Sequence, residues 1–262
     1  FPLRENVPGV RDRIVKFLGN ISSRSVLFLR HIDELSLCIE NAPTRGWRIA
    51  REINQTSDEW VPAESLPNQG VARVRLGDVD GDSLSFLVFV DREIPIGQNR
   101  AGLDQSSWEG VELTEAAVAV ALDANGNITP VRSDPRIHVF LPTEEKSPFP
   151  FLINGAFSCD LSRQSIRVGK SEDDYNRFML RQAVNLVRDG VVPTARQMNQ
   201  PVEAVLRLLD RHAIVSQDGQ SLASDTDVSH CLLEAAREIL VETSFIPVDD
   251  SEKLVGLKEI AI

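Results

Sequence analysis

The stretch from Pro142 to Arg167, PTEEKSPFPFLINGAFSCDLSRQSIR, decides how the rest of the chain is read. Pro142, Pro148 and Pro150 cannot continue a helix, so its first half is a proline-punctuated loop. The residues after Pro150 read as a strand, in which Gly155 allows close backbone approach. A polar turn follows and presents two arginines, Arg163 and Arg167. An arginine offered from such a turn can stabilise charge developing on a phosphoryl group, because its planar fork of donors matches phosphate oxygens.

Working towards the amino terminus, Ile137 to Leu141 is an apolar run that stops at Pro142, and Ala116 to Leu122 is another, closed by Asn125-Gly126-Asn127. Val71 to Leu76 and Leu84 to Val90 flank Gly77-Asp78-Val79-Asp80-Gly81-Asp82, which reads as two strands joined by a turn. Between Ala42 and Gln69, Pro, Gly, Asn and Ser mix with Trp47 and Trp60 and predict short strands and loops. Leu35 to Ile39 alternates like a strand, and Ser22 to His31 reads as a short helix. Val10, Ile14, Val15, Phe17 and Leu18 have helical spacing that Gly19-Asn20 would end.

Towards the carboxy terminus, Tyr175, Phe178, Met179, Ala183, Leu186 and Val187 recur at helical spacing behind Asp173 and Asp174, acids that suit a first turn. Val202 to Leu209 and Val228 to Val241 repeat the pattern, and Phe245 to Val248 with Leu254-Val255 would make a closing hairpin. Strands and helices without regular alternation predict an α+β fold: a mixed sheet with flanking helices over 1–190, then a smaller, mainly helical part over 191–262 with a short terminal hairpin.

The chain has 262 residues, enough for a sizeable core, and 42% of them are hydrophobic, as in ordinary globular proteins. No apolar run approaches the ~20 residues that span a bilayer, so no membrane partner is expected. The start, Phe1-Pro2-Leu3-Arg4, has neither an initiator Met nor a signal-peptide pattern, which predicts either a removed amino terminus or, in preference, a further domain upstream. Cys38, Cys159 and Cys231 form no C-x-x-C and fit a reducing, cytoplasmic compartment. With 39 acidic against 28 basic residues the net charge is -11, which disfavours nucleic acid or anionic lipid as a broad electrostatic partner.

Other constellations are weaker. The aspartates of Asp78 to Asp82 lack the downstream Glu of a calcium loop and read as a solvated hairpin tip. Cys159 with His138 as base would make a nucleophile pair, but no elbow motif surrounds the cysteine, and a buried apolar Cys is the simpler reading. His31, His138, His212 and His230 share no metal-ligand spacing. Thr194 to Leu222 has the outline of a winged helix-turn-helix. From Thr194 to His212, however, Arg196, Arg207 and Arg211 stand against Glu203 and Asp210, a net charge of only +1, so a structural or protein-contact role is favoured over duplex binding.

Several of these segments, in this order, resemble the sacsin-like branch of the GHKL ATPases, the superfamily of gyrase, the ninety-kilodalton heat-shock chaperone, histidine kinases and MutL. Phe1-Pro2-Leu3-Arg4 is similar to the end of an F-R-x-P-L-R strand that closes the ATP-binding domain in that branch. Leu27 to Leu37 is similar to its L-x-F-L-x-x-x-x-x-I-x-I segment. Phe140-Leu141-Pro142, then Phe151, Gly155 and Phe157, then Arg163 are similar to its F-L-P, its P-F-x-x-x-x-G-x-F strand and its arginine-bearing turn. The helix from Ala236 and the Phe245-Ile246-Pro247 strand match its trailing elements. Nothing between Asn41 and Val131 is matched.

The resemblance implies a transducer, or middle-domain-like, segment. Leu161-Ser162-Arg163-Gln164-Ser165-Ile166 is similar to the L-x-x-S-R-x-x-L turn by which the chaperone's middle domain offers an arginine to the terminal phosphate of ATP. Arg163 would be the catalytic residue, and Arg163, Ser162 and Arg167 would face the nucleotide. The cofactors implied are ATP and Mg2+, held mainly by an upstream domain of the same polypeptide, with protein clients as a further class of partner. No Asn-bearing magnesium motif and no Asp-x-Gly-x-Gly occurs here, and Asp80-Gly81-Asp82 does not supply one. The chain is therefore expected to be incomplete as an enzyme by itself. The competing expectation is a non-enzymatic module that binds nucleic acid or protein through 194–222.

Overall fold

Alternating and continuous apolar runs assemble into one mixed sheet in the computed structural model, which describes residues 23–37, 45–56, 59–78, 83–131, 135–160, 165–209, 227–240, 246–247 and 254–255. The strands are β1 (Glu34–Leu37), β2 (Arg45–Thr56), β3 (Glu59–Ala63), β4 (Gln69–Asp78), β5 (Ser83–Pro95), β6 (Leu113–Leu122), β7 (Ile128–Thr129), β8 (Arg136–Val139), β9 (Leu141–Lys146) and β10 (Leu152–Gly155). Their order in the sheet is β1-β2-β4-β5-β6-β10-β8-β9, with β3 added to β2 and β7 to β6. Every pairing is antiparallel except β10 with β8, so the sheet is mixed. A separate antiparallel pair, β11 (Ile246–Pro247) and β12 (Leu254–Val255), forms the expected closing hairpin.

Residue pattern explains which strands lie where. β5 is buried at five consecutive positions, Phe86 to Val90, a run that only a strand covered on both faces can carry. Phe86, Val88 and Val90 enter one apolar cluster with Ala117, Ala119 and Leu152, while Leu87 and Phe89 enter another with Val118, Val120 and Ile153. Towards the β2 edge only one face is covered. There Ala72, Val74 and Leu76 of β4 are buried and Arg73 and Arg75 point away, the alternation of a half-solvated strand.

One face is closed by the segment after the 3-10 turn Ser23–Val26, whose Val26, Leu27 and Phe28 are all buried. Each such side chain withdrawn from water contributes about 1.5–3 kcal/mol. The helix expected over Ser22 to His31 is therefore only this turn, because three successive apolar residues must reach the sheet. The other face is closed by α2 (Tyr175–Leu186), α3 (Val192–Gln197), α4 (Val202–Leu209) and α5 (Asp227–Leu240); a short α1 (Gln105–Trp108) precedes β6. A π-turn, Val187–Val191, joins α2 to α3, with the Val192 N–H reaching back to the Val187 carbonyl just before Pro193, which has no N–H to donate. Residues on both sides of position 190 enter the same cluster, among them Phe89, Val184, Val192, Leu208 and Leu232.

The region from Ala42 to Gln69 differs from the short strands and loops expected. β2 runs for 12 residues and pairs with β1, β3 and β4. Its apolar alternation, Trp47, Ile49 and Ile53, is broken at Arg51, whose side chain is wholly buried. Arg51 Nη1 donates to Asp33 Oδ1 at 2.6 Å and Nη2 to the carbonyls of Leu29 and Ile32 at 2.8 and 2.7 Å. A buried, partnered arginine thus stands where the pattern wanted an aliphatic residue. The helix expected over Val10 to Leu18 lies outside the described residues. Among the described residues no helix is long and apolar enough to cross a membrane.

Candidate functional site

β10 is buried along its whole length and leads straight into the arginine-bearing segment. Phe149 and Phe151 stack at its start, with ring centroids 5.3 Å apart. At its end Gly155 has no room for a side chain: a Cβ would stand 3.0 Å from the Phe157 ring, 3.1 Å from Met179 Cε and 3.3 Å from the Glu115 carbonyl oxygen. The close approach expected at Gly155 is therefore made by α2 and β6.

Beyond β10 the chain turns back on itself. Cys159 and Ile166 form an antiparallel bridge, the Asp160 N–H donates to the Ser165 carbonyl at 3.2 Å, and Ser165 Oγ donates to Asp160 Oδ2 at 3.1 Å. Residues 161–164, with Ser162 and Arg163, lie outside the described residues and connect these joined ends. Arg167 is exposed on the returning arm.

Both arms are held from below by Asn176, a buried residue in the first turn of α2. Its Nδ2 donates to the Ser158 carbonyl at 2.6 Å and to the Arg167 carbonyl at 2.8 Å, and its Oδ1 accepts from the Ser158 N–H at 2.8 Å. Both amide hydrogens and the carbonyl oxygen are thus used on the two legs of one hairpin. Its neighbour Tyr175, fully buried, donates its hydroxyl to the Ala156 carbonyl at 2.9 Å and lies 2.6 Å from Thr114 Oγ1 on β6. Burial pushes the Tyr175 phenol up to about 12; the Thr114 hydrogen bond works against this and the nearby Glu115 charge adds to it.

The start of α2 is fixed on its remaining sides as well. Asp174 caps it, Oδ1 accepting from the Arg177 N–H at 2.9 Å. Glycines make room for that carboxylate: a Cβ on Gly169 would stand 2.5 Å from Asp174 Oδ2, and one on Gly102, at φ +85°, 3.1 Å from it. The Tyr175 N–H donates to the Ala101 carbonyl and the Ala101 N–H to the Asp173 carbonyl, at 3.0 and 3.2 Å. Along its outer side, Arg177 pairs with Glu234 at 3.2 Å and Arg181 with Glu238 at 3.0 Å. Both partners advance by four residues, so α2 and α5 run alongside each other in the same direction.

The charge of this segment opposes that of the chain. From Ser158 to Lys170, Arg163, Arg167 and Lys170 stand against Asp160 alone, a balance of +2 in a protein of -11. The acids that follow are engaged: Glu172 pairs with Arg181 at 3.5 Å, Asp173 accepts from the Ser171 hydroxyl, and Asp174 caps the helix. A locally cationic stretch with braced arms, in an otherwise acidic chain, is chemically suited to the oxygens of a phosphoryl group. Among the described residues, no group of three or more His, Cys, Asp or Glu is placed to hold a metal ion.

Cys159 and His138 are not brought together. The His138 ring packs edge-on against Phe28, centroids 5.1 Å apart, whereas Cys159 packs on the cluster of the opposite face with Ile153 and Met179. Burial lowers the His138 pKa to about 4, over the opposing effect of its backbone hydrogen bonds to Arg136 and Ile153, with Arg136's charge lowering it further. On the same face Asn154 Oδ1 accepts from the N–H of Phe140, a non-glycine residue held at φ 64°. Of the helix-turn-helix outline the described residues hold two helices, α3 and α4, and the Ile128 N–H donates to Gln200 Oε1 between them at 2.9 Å. Residues 210–222 of that outline lie outside the described residues, and α4 exposes Glu203 beside Arg207.

Sequence reasoning missed Asn176, Tyr175 and Thr114. The available signal was a polar residue at position 176 on a helical stripe that otherwise reads Leu180, Ala183 and Val184. No protein-family model, curated protein or solved structure matches this chain.

Proposed function

We propose that this chain is the segment following the ATP-binding domain of a sacsin-like GHKL ATPase, and that Arg163 stabilises charge at the terminal phosphate of the nucleotide held by that upstream domain. The observation that carries the reading is the bracing of the arms on either side of 161–164: Asn176 grips Ser158 and Arg167, and Ser165 is tied to Asp160. A phosphoryl-transfer centre gains most from a cation whose position is set in advance, since little reorganisation then remains at the moment of reaction. Mg2+ with ATP would supply polarised phosphates, and the residues that would hold the metal are expected in the upstream domain rather than here. This chain's own part is to bring Arg163 to the phosphate, with Ser162 and Arg167 beside it, and to carry the movement of the hairpin into α2 and α5. A reducing, cytoplasmic setting fits this role.

The test is steady-state ATP turnover by the full-length protein with Arg163→Ala. Removing one charge-stabilising arginine lowers kcat by about tenfold to a thousandfold with little change in KM. An unchanged kcat would refute the assignment.

A further inference from the structure

We infer that the turn between β8 and β9, Phe140-Leu141, is a docking knob for a partner protein, received in an apolar pocket that the partner borders with Lys or Arg; this stands apart from the function proposed above. Among the described residues four large hydrophobic side chains are exposed: Leu84 at 39%, Leu113 at 51%, Phe140 at 41% and Leu141 at 50%. Scattered cases need no explanation, but three of these four lie at one end of the sheet. The register puts them there, because Asn154 of β10 stands opposite both His138 of β8 and Ala117 of β6. Going forward from His138 reaches Phe140, and going back along the antiparallel β6 reaches the same end at Leu113.

The tip is firmly held. Val139 pairs with Leu141 across Phe140, so one residue makes the reversal, at φ 64°. That left-handed backbone suits glycine or asparagine, and a phenylalanine there carries both backbone strain and an exposed ring. Neither helps the fold, and strain kept at an exposed aromatic points to a use outside it. The buried Asn154 Oδ1 accepts from the Phe140 N–H at 2.9 Å, Thr143 Oγ1 donates to the Ile137 carbonyl at 2.8 Å, and Arg136 Nη1 donates to the Thr143 carbonyl at 3.0 Å. Pro142 restricts the backbone just after the pair. An aromatic and an aliphatic side chain preset in this way lose little freedom on docking, and a few such anchors supply most of the affinity of an interface.

Charge selects the occupant. Between positions 91 and 115, the stretch that leaves β5 and enters β6 at this end, Asp91, Glu93, Asp104, Glu109, Glu112 and Glu115 stand against Arg92 and Arg100, a balance of -4. Both arginines are engaged, Arg92 by Glu115 at 2.8 Å and Arg100 by the Val111 carbonyl at 2.7 Å, whereas Glu93, Glu109 and Glu112 are exposed. Glu144, three residues beyond Leu141, is exposed as well. A second copy would set the same acids against these, and an anionic membrane would repel them. A basic rim attracts them.

The experiment places a photoreactive benzoylphenylalanine at position 140 of the full-length protein in the cells that make it. The same group at the exposed Ser36 on β1, the opposite edge of the sheet, is the control. The expected result is an adduct to a protein other than this chain from position 140 and none from position 36. That protein, purified, binds the unlabelled full-length chain with a Kd that rises about tenfold or more in Phe140→Ser and in Leu141→Ser, and that rises with added salt. Phe140→Gly removes the ring and relieves the backbone, so it weakens binding as much as Phe140→Ser while the melting temperature holds or increases. No adduct, an adduct to a second copy or to lipid alone, or a purified partner whose Kd moves less than about twofold in these variants would overturn the docking role. Binding indifferent to salt would overturn the basic rim. Should the Phe140 variants not fold, Leu141→Ser decides by the same comparison.

Discussion

Acidification should weaken this protein through one buried imidazole. His138 faces Phe28 inside the sheet and its pKa is lowered to about 4, against 6.5 for an exposed histidine. Above pH 6.5 the ring is neutral in both the folded and the unfolded chain, and it makes no pH-dependent difference. Between pH 6.5 and 4 the unfolded chain takes up a proton that the folded chain refuses, so stability falls as pH falls. The full gap corresponds to about 3 kcal/mol, of which about 2 kcal/mol has been lost by pH 5. Urea unfolding at pH 7 and pH 5, for the parent and for His138→Phe, isolates the effect. Phenylalanine fills a similar volume against Phe28 and removes the hydrogen bond between His138 Nδ1 and the Arg136 carbonyl, a cost that does not vary with pH. The parent should lose about 2 kcal/mol more than the variant across the interval. Equal losses, within about 0.5 kcal/mol, would refute the view that His138 is a neutral packing residue on the face away from Cys159.

Two further substitutions probe the ground on which the hairpin stands. Tyr175→Phe leaves the half-buried Ala156 carbonyl without this donor and Thr114 Oγ1 without its closest partner, and should cost about 1–3 kcal/mol in denaturant unfolding; no loss would show that the hydroxyl contributes nothing to the clamp. Gly190→Ala places a Cβ 2.8 Å from Cδ1 of the buried Phe89 ring, an overpacking worth about 1–3 kcal/mol that thermal unfolding reads directly, and a neutral result would mean that the π-turn yields freely.

Much of the fold is visible in side-chain pattern because burial is what pattern reports. The consecutive apolar residues of β5 and β6 announce strands covered on both faces, and the 3.6-residue spacing after Asp174 announces α2 with its cap. Pattern fails where a polar residue occupies a buried position by virtue of partners far away in sequence. Arg51 hides a 12-residue strand because Asp33 and two carbonyls neutralise it, and Asn176 hides the hairpin clamp because its partners are the backbone of Ser158 and Arg167. The arginine turn itself is legible only through residue order and charge. The bracing of the arms that flank it depends on α2 packing against β10, a contact made by Gly155 and Met179 that spacing cannot announce.

The most direct measurement is hydrogen exchange of the full-length protein with and without a saturating, non-hydrolysable ATP analogue. If the hairpin reaches the nucleotide, peptides covering 158–167 become protected while those of the central strands, 69–95, do not change. Exchange across 158–167 that is identical in the two states, with the nucleotide demonstrably bound, would contradict the claim that this hairpin delivers Arg163 to the phosphate.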